Sequence, residues 1–455
     1  MLDDTIIAVA TPLAPGGLGL VRLSGDRALT LSQKFFRAKT RRSRIPARHP
    51  VLGHLCDPQT EEAFEEALLT YFPGPHSYTT EDVVEISTHG SPVLLEEVIR
   101  LGIEAGARHA HPGEFTLRAL LGGRIDLLQA EAVNDIIMSS SLEQAKISFR
   151  QMEGRLSRRI RNLRKGIIQI LSQIEAGIEF PDEGVQISSE DIARSIQKWA
   201  AEVDQLVQSY DLGKTLREGL TLVIIGRANV GKSTLFNALL ERDRAIVTPF
   251  PGTTRDYLRE PLRIKDSLFT LVDMAGLDNS SDPIEQEGLL RGRRLAAQAD
   301  GILLVLDASR PESETDLELA KKYRNKKTIL VWNKTDLPQK MGTGWLGELG
   351  TDLPRLEISA LEGHNLSGLK AKIHQVFVPE RKRTEDVILH LRQKLLLEEI
   401  GKSLGSSLQV LMQGFSEEVL AEEMRSIPPL IGQLVGDIRT DDILDQIFAR
   451  FCIGK

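Results

Sequence analysis

Gly226-Arg227-Ala228-Asn229-Val230-Gly231-Lys232-Ser233 follows the apolar run Leu222-Val223-Ile224-Ile225 and precedes Thr234-Leu235-Phe236-Asn237-Ala238-Leu239-Leu240, a helical pattern. Strand, then G-x-x-x-x-G-K-S, then helix is the arrangement of a phosphate loop. Its glycines let the backbone curl so that successive N–H groups point at phosphate oxygens, and the helix N-terminus adds its positive dipole end. In this pattern Lys232 reaches the β and γ phosphates and Ser233 offers its hydroxyl to Mg²⁺. Working outward, strand-like runs at 222–225, 268–272, 302–306, 329–332 and 355–358 alternate with helical ones between 217 and 379. That alternation predicts βαβ crossovers and a mostly parallel sheet covered on both faces.

The base is addressed downstream. Ile329-Leu330-Val331-Trp332 reads as a buried strand, with Asn333-Lys334-Thr335-Asp336 at its carboxyl end, where open α/β sheets hold their ligands. A carboxylate at Asp336 accepts from guanine N1–H and the exocyclic amine, a pair that adenine cannot supply. Ile358-Ser359-Ala360-Leu361 follows a further short strand and would close over the base. Asp273-Met274-Ala275-Gly276 offers a carboxylate for the Mg²⁺ water shell and a glycine near the γ-phosphate. Together these segments predict GTP binding.

Arg244 to Asp256, which contains Thr248-Pro249-Phe250-Pro251-Gly252-Thr253-Thr254, lies where a switch loop supplies a threonine to Mg²⁺. Thr253 and Thr254 are adjacent, and spacing does not choose between them. The residue after Gly276 is Leu277, which can neither act as a base nor position a water. Hydrolysis must then be completed otherwise or be very slow. Asp278, Asp282, Glu285 and Glu287 are the nearby carboxylates, for each of which an exposed helix charge is the alternative. Asn229, beside the GTTRD segment, is either an ordinary loop asparagine or a ligand for a monovalent cation whose charge does the work of an arginine finger.

With 455 residues the chain has length for about three domains of ~150 residues each. Its apolar fraction of 41% and mean hydropathy of -0.16 fit a soluble globular protein. No apolar run approaches the ~20 residues of a membrane helix, and the acidic start Met1-Leu2-Asp3-Asp4 does not resemble a secretory n-region. Cys56 and Cys452 alone exclude a disulfide scaffold and suit a reducing cytoplasm. The net charge of -7 supplies no global attraction for nucleic acid, so any RNA contact must be local. Two basic clusters offer one: Arg37, Lys39, Arg41, Arg42, Arg44 and Arg48, then Arg158, Arg159, Arg161, Arg164 and Lys165. A solvated face is the alternative for both.

Residues 127 to 179 read as helical, with Leu156, Ile160, Leu163, Ile167, Ile170, Ile174 and Ile178 forming one apolar stripe that stops at Phe180-Pro181. The segment from 385 to 452 is helical again, broken at Ile427-Pro428-Pro429. The expected organisation is therefore an α+β domain over 1–119, a helical domain in two parts (120–216 and 380–455), and a nucleotide domain over 217–379 inserted between them.

GRANVGKS, PGTTRD, DMAGL and NKTD in this order, bracketed by helices, resemble the tRNA modification GTPase MnmE (TrmE) family. Three further segments carry the resemblance along the whole chain: Phe72-Pro73-Gly74-Pro75-His76-Ser77-Tyr78-Thr79-Thr80-Glu81-Asp82, His111-Pro112-Gly113-Glu114-Phe115-Thr116-Leu117-Arg118-Ala119, and Phe451-Cys452-Ile453-Gly454-Lys455. The resemblance implies an N-terminal domain that binds a tetrahydrofolate, such as the 5-formyl form, and dimerises, with Arg22, Glu85, Arg124 and Lys455 at the folate. Arg124 stands where lysine is often found. It also implies potassium at Asn229, Thr248, Phe250 and Thr253, magnesium at Ser233 and Thr254, and Glu285 as the group that positions the attacking water. Met274, Asp278 and Asn279 depart from the family pattern. The implied activity is potassium-activated GTP hydrolysis by a homodimer. With the FAD-dependent partner MnmG (GidA), it would install an aminomethyl-type group on carbon 5 of the tRNA wobble uridine. A ribosome-assembly GTPase and a non-catalytic GTP-gated scaffold are the rival readings; the first shares the asparagine-bearing loop, and Leu277 favours the second.

Overall fold

The computed structural model describes residues 4–39, 44–180, 188–241, 258–273, 295–345, 353–378, 387–437, 444, 447–449, 451 and 454. It divides into two compact units: Met1–Ile137 with Ser148–Gln205 and Leu395–Lys455, and Met138–Ile147 with Leu206–Lys394.

The first unit holds a seven-stranded sheet of order β3-β4-β5-β6-β2-β1-β7. Its strands are β1 (Ile6–Val9), β2 (Gly16–Ser24), β3 (Phe36–Ala38), β4 (Val51–Cys56), β5 (Ala63–Phe72), β6 (Val83–Gly90) and β7 (Arg108–His109). Side chains alternate between the faces of a strand, and this sheet uses that period. Val21, Leu23, Val84 and Ile86 pack with Leu95, Val98 and Leu101 of helix Pro92–Ala105. Arg22 and Glu85, directly paired across β2 and β6, face the other side. Pro92 opens its helix, where a missing N–H costs nothing, and Gly106 in left-handed conformation (φ +113) closes it.

The helical part of this unit begins with Leu127–Ile137 and continues into Arg155–Glu179. The expected apolar stripe is buried at Leu156, Ile160, Leu163, Ile167 and Ile174. Helix Arg155–Glu179 ends with Phe180 as its C-cap, as the sequence anticipated. Pro428 and Pro429 do more than interrupt: they sit in the first turn of a new helix, Ile427–Val435.

The second unit carries a six-stranded sheet of order β13-β12-β11-β8-β10-β9. These strands are β8 (Leu220–Ile225), β9 (Leu258–Ile264), β10 (Ser267–Asp273), β11 (Gly301–Asp307), β12 (Thr328–Asn333) and β13 (Arg355–Glu357). All neighbouring pairs are parallel except β9 with β10. Every residue of β11 and β12 is buried, as a central parallel strand covered on both faces requires. Leu222, Ile224, Leu303, Val305, Ile329 and Val331 meet helices Lys232–Glu241 and Leu366–Phe377. Val223, Leu304, Leu306, Leu330 and Trp332 meet helix Glu314–Tyr323. This is the doubly wound arrangement that the alternating runs predicted, and the strands' carboxyl ends carry the motif loops.

Candidate functional site

The phosphate-loop segment leaves β8 at Gly226 and enters helix Lys232–Glu241. Its glycines are fixed by close approach. A side chain on Gly226 (φ +159) would put Cβ 2.3 Å from the Val305 carbonyl oxygen, and one on Gly231 (φ +97) would meet Asn333 Nδ2 at 2.3 Å. That Asn333 amide is 2% exposed. Its Nδ2 donates to the Val230 carbonyl at 2.9 Å, and its Oδ1 accepts from Ala360 N–H at 2.9 Å. One buried side chain thus ties together the phosphate-loop segment, the Asn333–Asp336 loop and the Ser359-Ala360 loop. Thr335 N–H donates to the Ile358 carbonyl at 3.2 Å, adding a second tie between the last two.

Lys232 Nζ donates to the carbonyls of Gly226 at 2.8 Å and Arg227 at 2.9 Å, so its ammonium curls over the loop. Ser233 and Thr234 stand exposed at the start of the helix, and Asp336 and Leu361 are exposed on their own loops. Ser359 is 1% exposed and its hydroxyl accepts from Glu362 N–H at 3.2 Å. Asp273, 5% exposed, ends β10 in register with Ile224. The sheet edge therefore collects Asn229 to Thr234, Asp273, Asn333 to Asp336 and Ser359 to Leu361. Thr248 to Thr254, Met274, Ala275, Gly276 and Glu285 lie outside the described residues.

Two carboxylates at this edge were not singled out in the sequence. Asp307, at the end of β11, accepts from Lys334 Nζ at 2.7 Å, and Asp316, fully buried, accepts from Arg227 Nε at 2.8 Å. The position of Asp307 at the carboxyl end of the run Leu303-Leu304-Val305-Leu306 was the available signal.

In the first unit a cavity of about 630 Å³ is lined by Arg22, Phe72, Pro75, His76, Ser77, Tyr78, Val83, Glu85 and Arg124. Arg22 donates through Nε (2.9 Å) and Nη2 (2.7 Å) to Glu85 Oε1, and through Nη1 to the Gly454 carbonyl at 3.2 Å. Arg124 Nη1 donates to the Ser77 carbonyl at 2.7 Å. Both guanidinium groups lie near the Tyr78 ring, at 5.7 Å for Arg22 and 5.2 Å for Arg124, and the Tyr78 hydroxyl is 2.9 Å from Thr116 Oγ1. The predicted trio Arg22, Glu85 and Arg124 therefore converges. Lys455 and Cys452 lie outside the described residues, but their neighbour Gly454 reaches Arg22.

Tyr78 was legible only as part of a quoted segment. That segment is anchored where the Tyr71 hydroxyl donates to Asp82 Oδ2 at 2.8 Å and Gly74 N–H donates to Asp82 Oδ1 at 2.9 Å. Burial, with Asp82 beside it, pushes the Tyr71 phenol up to about 12. The PGEF glycine, Gly113 (φ +70), leaves no room for Cβ against Phe448 and Phe451, so two distant signature segments meet. Glu114 and Arg118, both nearly buried, pair at 3.0 Å, and Arg118 also pairs with Asp4 at 2.7 Å and Glu81 at 3.1 Å.

Both basic clusters are partly engaged among the described residues, and Arg41 and Arg42 lie outside them. Arg159 pairs with Glu202, Arg161 with Asp126 and Arg164 with Asp437. In the other, Arg37 pairs with Glu61 and Lys39 with Glu66.

Two family models match. One described as the TrmE GTP-binding protein N-terminus covers residues 5–124, and one described as the MnmE helical domain covers 127–452. The chain is 36% identical over 459 residues to the tRNA modification GTPase MnmE of Alkaliphilus oremlandii, with 100% of each chain covered. It is 40% identical over 458 residues to that of Koribacter versatilis, again with 100% of each covered. Among solved structures, an Aquifex aeolicus Era variant bound to GDP.AlF4- is 29% identical with a TM-score of 0.29, covering 40% of this chain and 66% of that one.

Proposed function

This chain belongs to the MnmE family of tRNA modification GTPases, and from that premise we propose that it is a potassium-activated GTPase acting on carbon 5 of the tRNA wobble uridine. It is a GTP hydrolase that takes part in tRNA modification. The finer reading adds a tetrahydrofolate as one-carbon carrier, an FAD-dependent partner of the MnmG type, and a homodimer formed through residues 1–119. The nucleotide region 217–379 is flanked by helical segments 120–216 and 380–455.

One observation carries this reading: a single chain holds both a phosphate-loop motif and a cavity whose lining chemistry suits a folate. At about 630 Å³ the cavity has the size of a small-molecule site. Arg22 and Arg124 suit the glutamate carboxylates of a folate, Glu85 can accept from the N–H and amine edge of a pterin, and Tyr78 offers a flat apolar face. When bound, the folate would supply the one-carbon unit.

At the sheet edge the roles divide by chemistry. Lys232 would leave the loop carbonyls for the β and γ phosphates, while the N–H groups of Asn229 to Thr234 cradle them. Ser233 and Thr254 would ligate Mg²⁺, with Asp273 in its water shell. Asn229, with Thr248, Phe250 and Thr253, would hold K⁺, whose charge offsets that developing between the phosphates. Glu285 would position the water, in place of the side chain Leu277 cannot provide. Asp336 would read guanine, under Ser359, Ala360 and Leu361.

Wobble-uridine analysis of tRNA from a deletion strain tests the whole reading. Loss of the carbon 5 group, restored by the intact gene, is the expected outcome; unchanged tRNA would overturn it.

A further inference from the structure

Asn229 and Lys334 both adopt left-handed backbone, at φ +62 and +66. A non-glycine residue resists that conformation, asparagine less than lysine, so it persists only where its surroundings over-determine it. Here the two strained residues are joined: Lys334 Nζ donates to the Asn229 carbonyl at 2.7 Å. The same ammonium donates to Asp307 Oδ2 at 2.7 Å. Asp307 is 2% exposed, and its Oδ1 accepts from Ser309 N–H at 3.0 Å and Ser309 Oγ at 2.6 Å. Arg310 Nε stands 3.7 Å from Oδ2. Burial pushes the Asp307 carboxyl up, but Lys334 and Ser309 outweigh it and hold the group below the usual carboxylate range. A fixed negative charge therefore pins the lysine that pins the loop.

We propose that Asp307 is a positioning residue for the phosphate loop: through Lys334 it fixes the Asn229 carbonyl, and with it the direction in which the Asn229 side chain meets a monovalent cation. The inference rests on the reading of Asn229 as a potassium ligand. It also couples the two ends of the nucleotide, because Lys334 belongs to the base-reading loop. The other limb of the loop has its own anchor. Asp316 accepts from Arg227 Nε and from the Ser313 N–H (3.1 Å) and hydroxyl (3.0 Å). That anchor does not touch Asn229, which makes it a built-in control.

GTP hydrolysis rates in K⁺ and in Na⁺, together with the K⁺ affinity of the full chain bound to a non-hydrolysable GTP analogue, give the test. Asp307→Asn is expected to weaken that affinity, and an unchanged affinity overturns the proposal. Loss of a group that orients a metal ligand typically costs 10–100-fold in metal affinity. Asp307→Asn is therefore expected to raise the K⁺ concentration for half-maximal activation about tenfold or more and to shrink the K⁺ to Na⁺ rate ratio. Asp316→Asn should weaken GDP binding in both salts and keep the ratio. A ratio unchanged in Asp307→Asn, or lost equally in both variants, overturns the proposal. Should Asp307→Asn not fold, Asp307→Glu keeps the charge but displaces it, and an unshifted ratio there is equally fatal. Equal parental rates in the two salts would instead remove the potassium reading itself, and this inference with it.

Discussion

The described groups of the nucleotide site gather at the carboxyl ends of one mostly parallel sheet, on strand ends, the loops that leave them and the first turn of a helix, between Gly226 and Leu361. The cavity of the first unit instead takes Arg22 and Glu85 from adjacent antiparallel strands and Tyr78 and Arg124 from loops, and its Arg22 holds the carbonyl of Gly454, 432 residues away. In the first site the backbone does most of the work. Curled N–H groups and close approaches at Gly226 and Gly231 tolerate few residue types, so spacing alone identifies it. In the second, side chains do the work, and which of them share a face depends on strand register.

The comparison can be broken most sharply where a side chain decides in the backbone-built site. Asp336→Asn exchanges an acceptor for a donor. It should invert the preference for GTP over XTP, a change on the order of 10⁴-fold when a site's hydrogen-bond match is reversed. Competition binding with the two nucleotides reads it, and a variant still preferring GTP would remove Asp336 from base recognition.

Next comes Asn229→Ala. Losing one electrostatic element of this kind costs about 10²-fold in rate. Hydrolysis in K⁺ should fall to the Na⁺ level while GDP affinity stays near the parental value. A persisting K⁺ advantage would show that the loop backbone holds the cation without this side chain.

A smaller effect is expected in the side-chain-built site. Glu85→Ala removes the carboxylate that Arg22 grips twice, and hydrogen bonds to charged groups contribute about 1.5–3 kcal/mol. Affinity for 5-formyltetrahydrofolate, measured by calorimetry, should drop roughly 10- to 100-fold, with GTP binding unaffected. If folate affinity holds, the cavity serves another ligand. If GTP binding falls as well, the two sites are less separate than their construction suggests.

How much of each region could be read beforehand follows the same division. The strand-loop-helix over 222–240 and the alternating buried strands were legible, because a parallel sheet covered on both faces demands unbroken apolar runs such as Ile329 to Trp332. In the first unit the runs Thr5 to Ala10, Gly19 to Leu23 and Val83 to Ser87 read as strands from the sequence and correspond to β1, β2 and β6, but β4 and β5 were not recognised. Strand β5, Ala63–Phe72, opens with exposed and half-buried positions, and its two buried ones are Ala67 and Leu69, so period-2 patterning hardly shows. Arg22, Glu85 and Arg124 came from resemblance rather than from pattern. Nothing local in the sequence says that residue 22 will face residue 85, since the register that pairs them is set by the whole sheet. Asp307 and Asp316 were missed for a related reason. An aspartate at a strand end or helix start has an ordinary local explanation, and Asp316 indeed closes a capping box with Ser313. Their contacts to Lys334 and Arg227 appear only when loops distant in sequence come together.

The grip of Arg22 on the Gly454 carbonyl also sets an order of events during synthesis. Domains generally fold as units as the chain emerges from the ribosome, the N-terminal one first, and here the seven-stranded sheet is complete by His109. Gly454 (φ +91), packed where a Cβ would lie 2.2 Å from the Val9 carbonyl, arrives only after the entire nucleotide-binding portion has been made. A translation product cut short anywhere in between can carry a finished sheet, and even a finished phosphate loop, without this hold on Arg22.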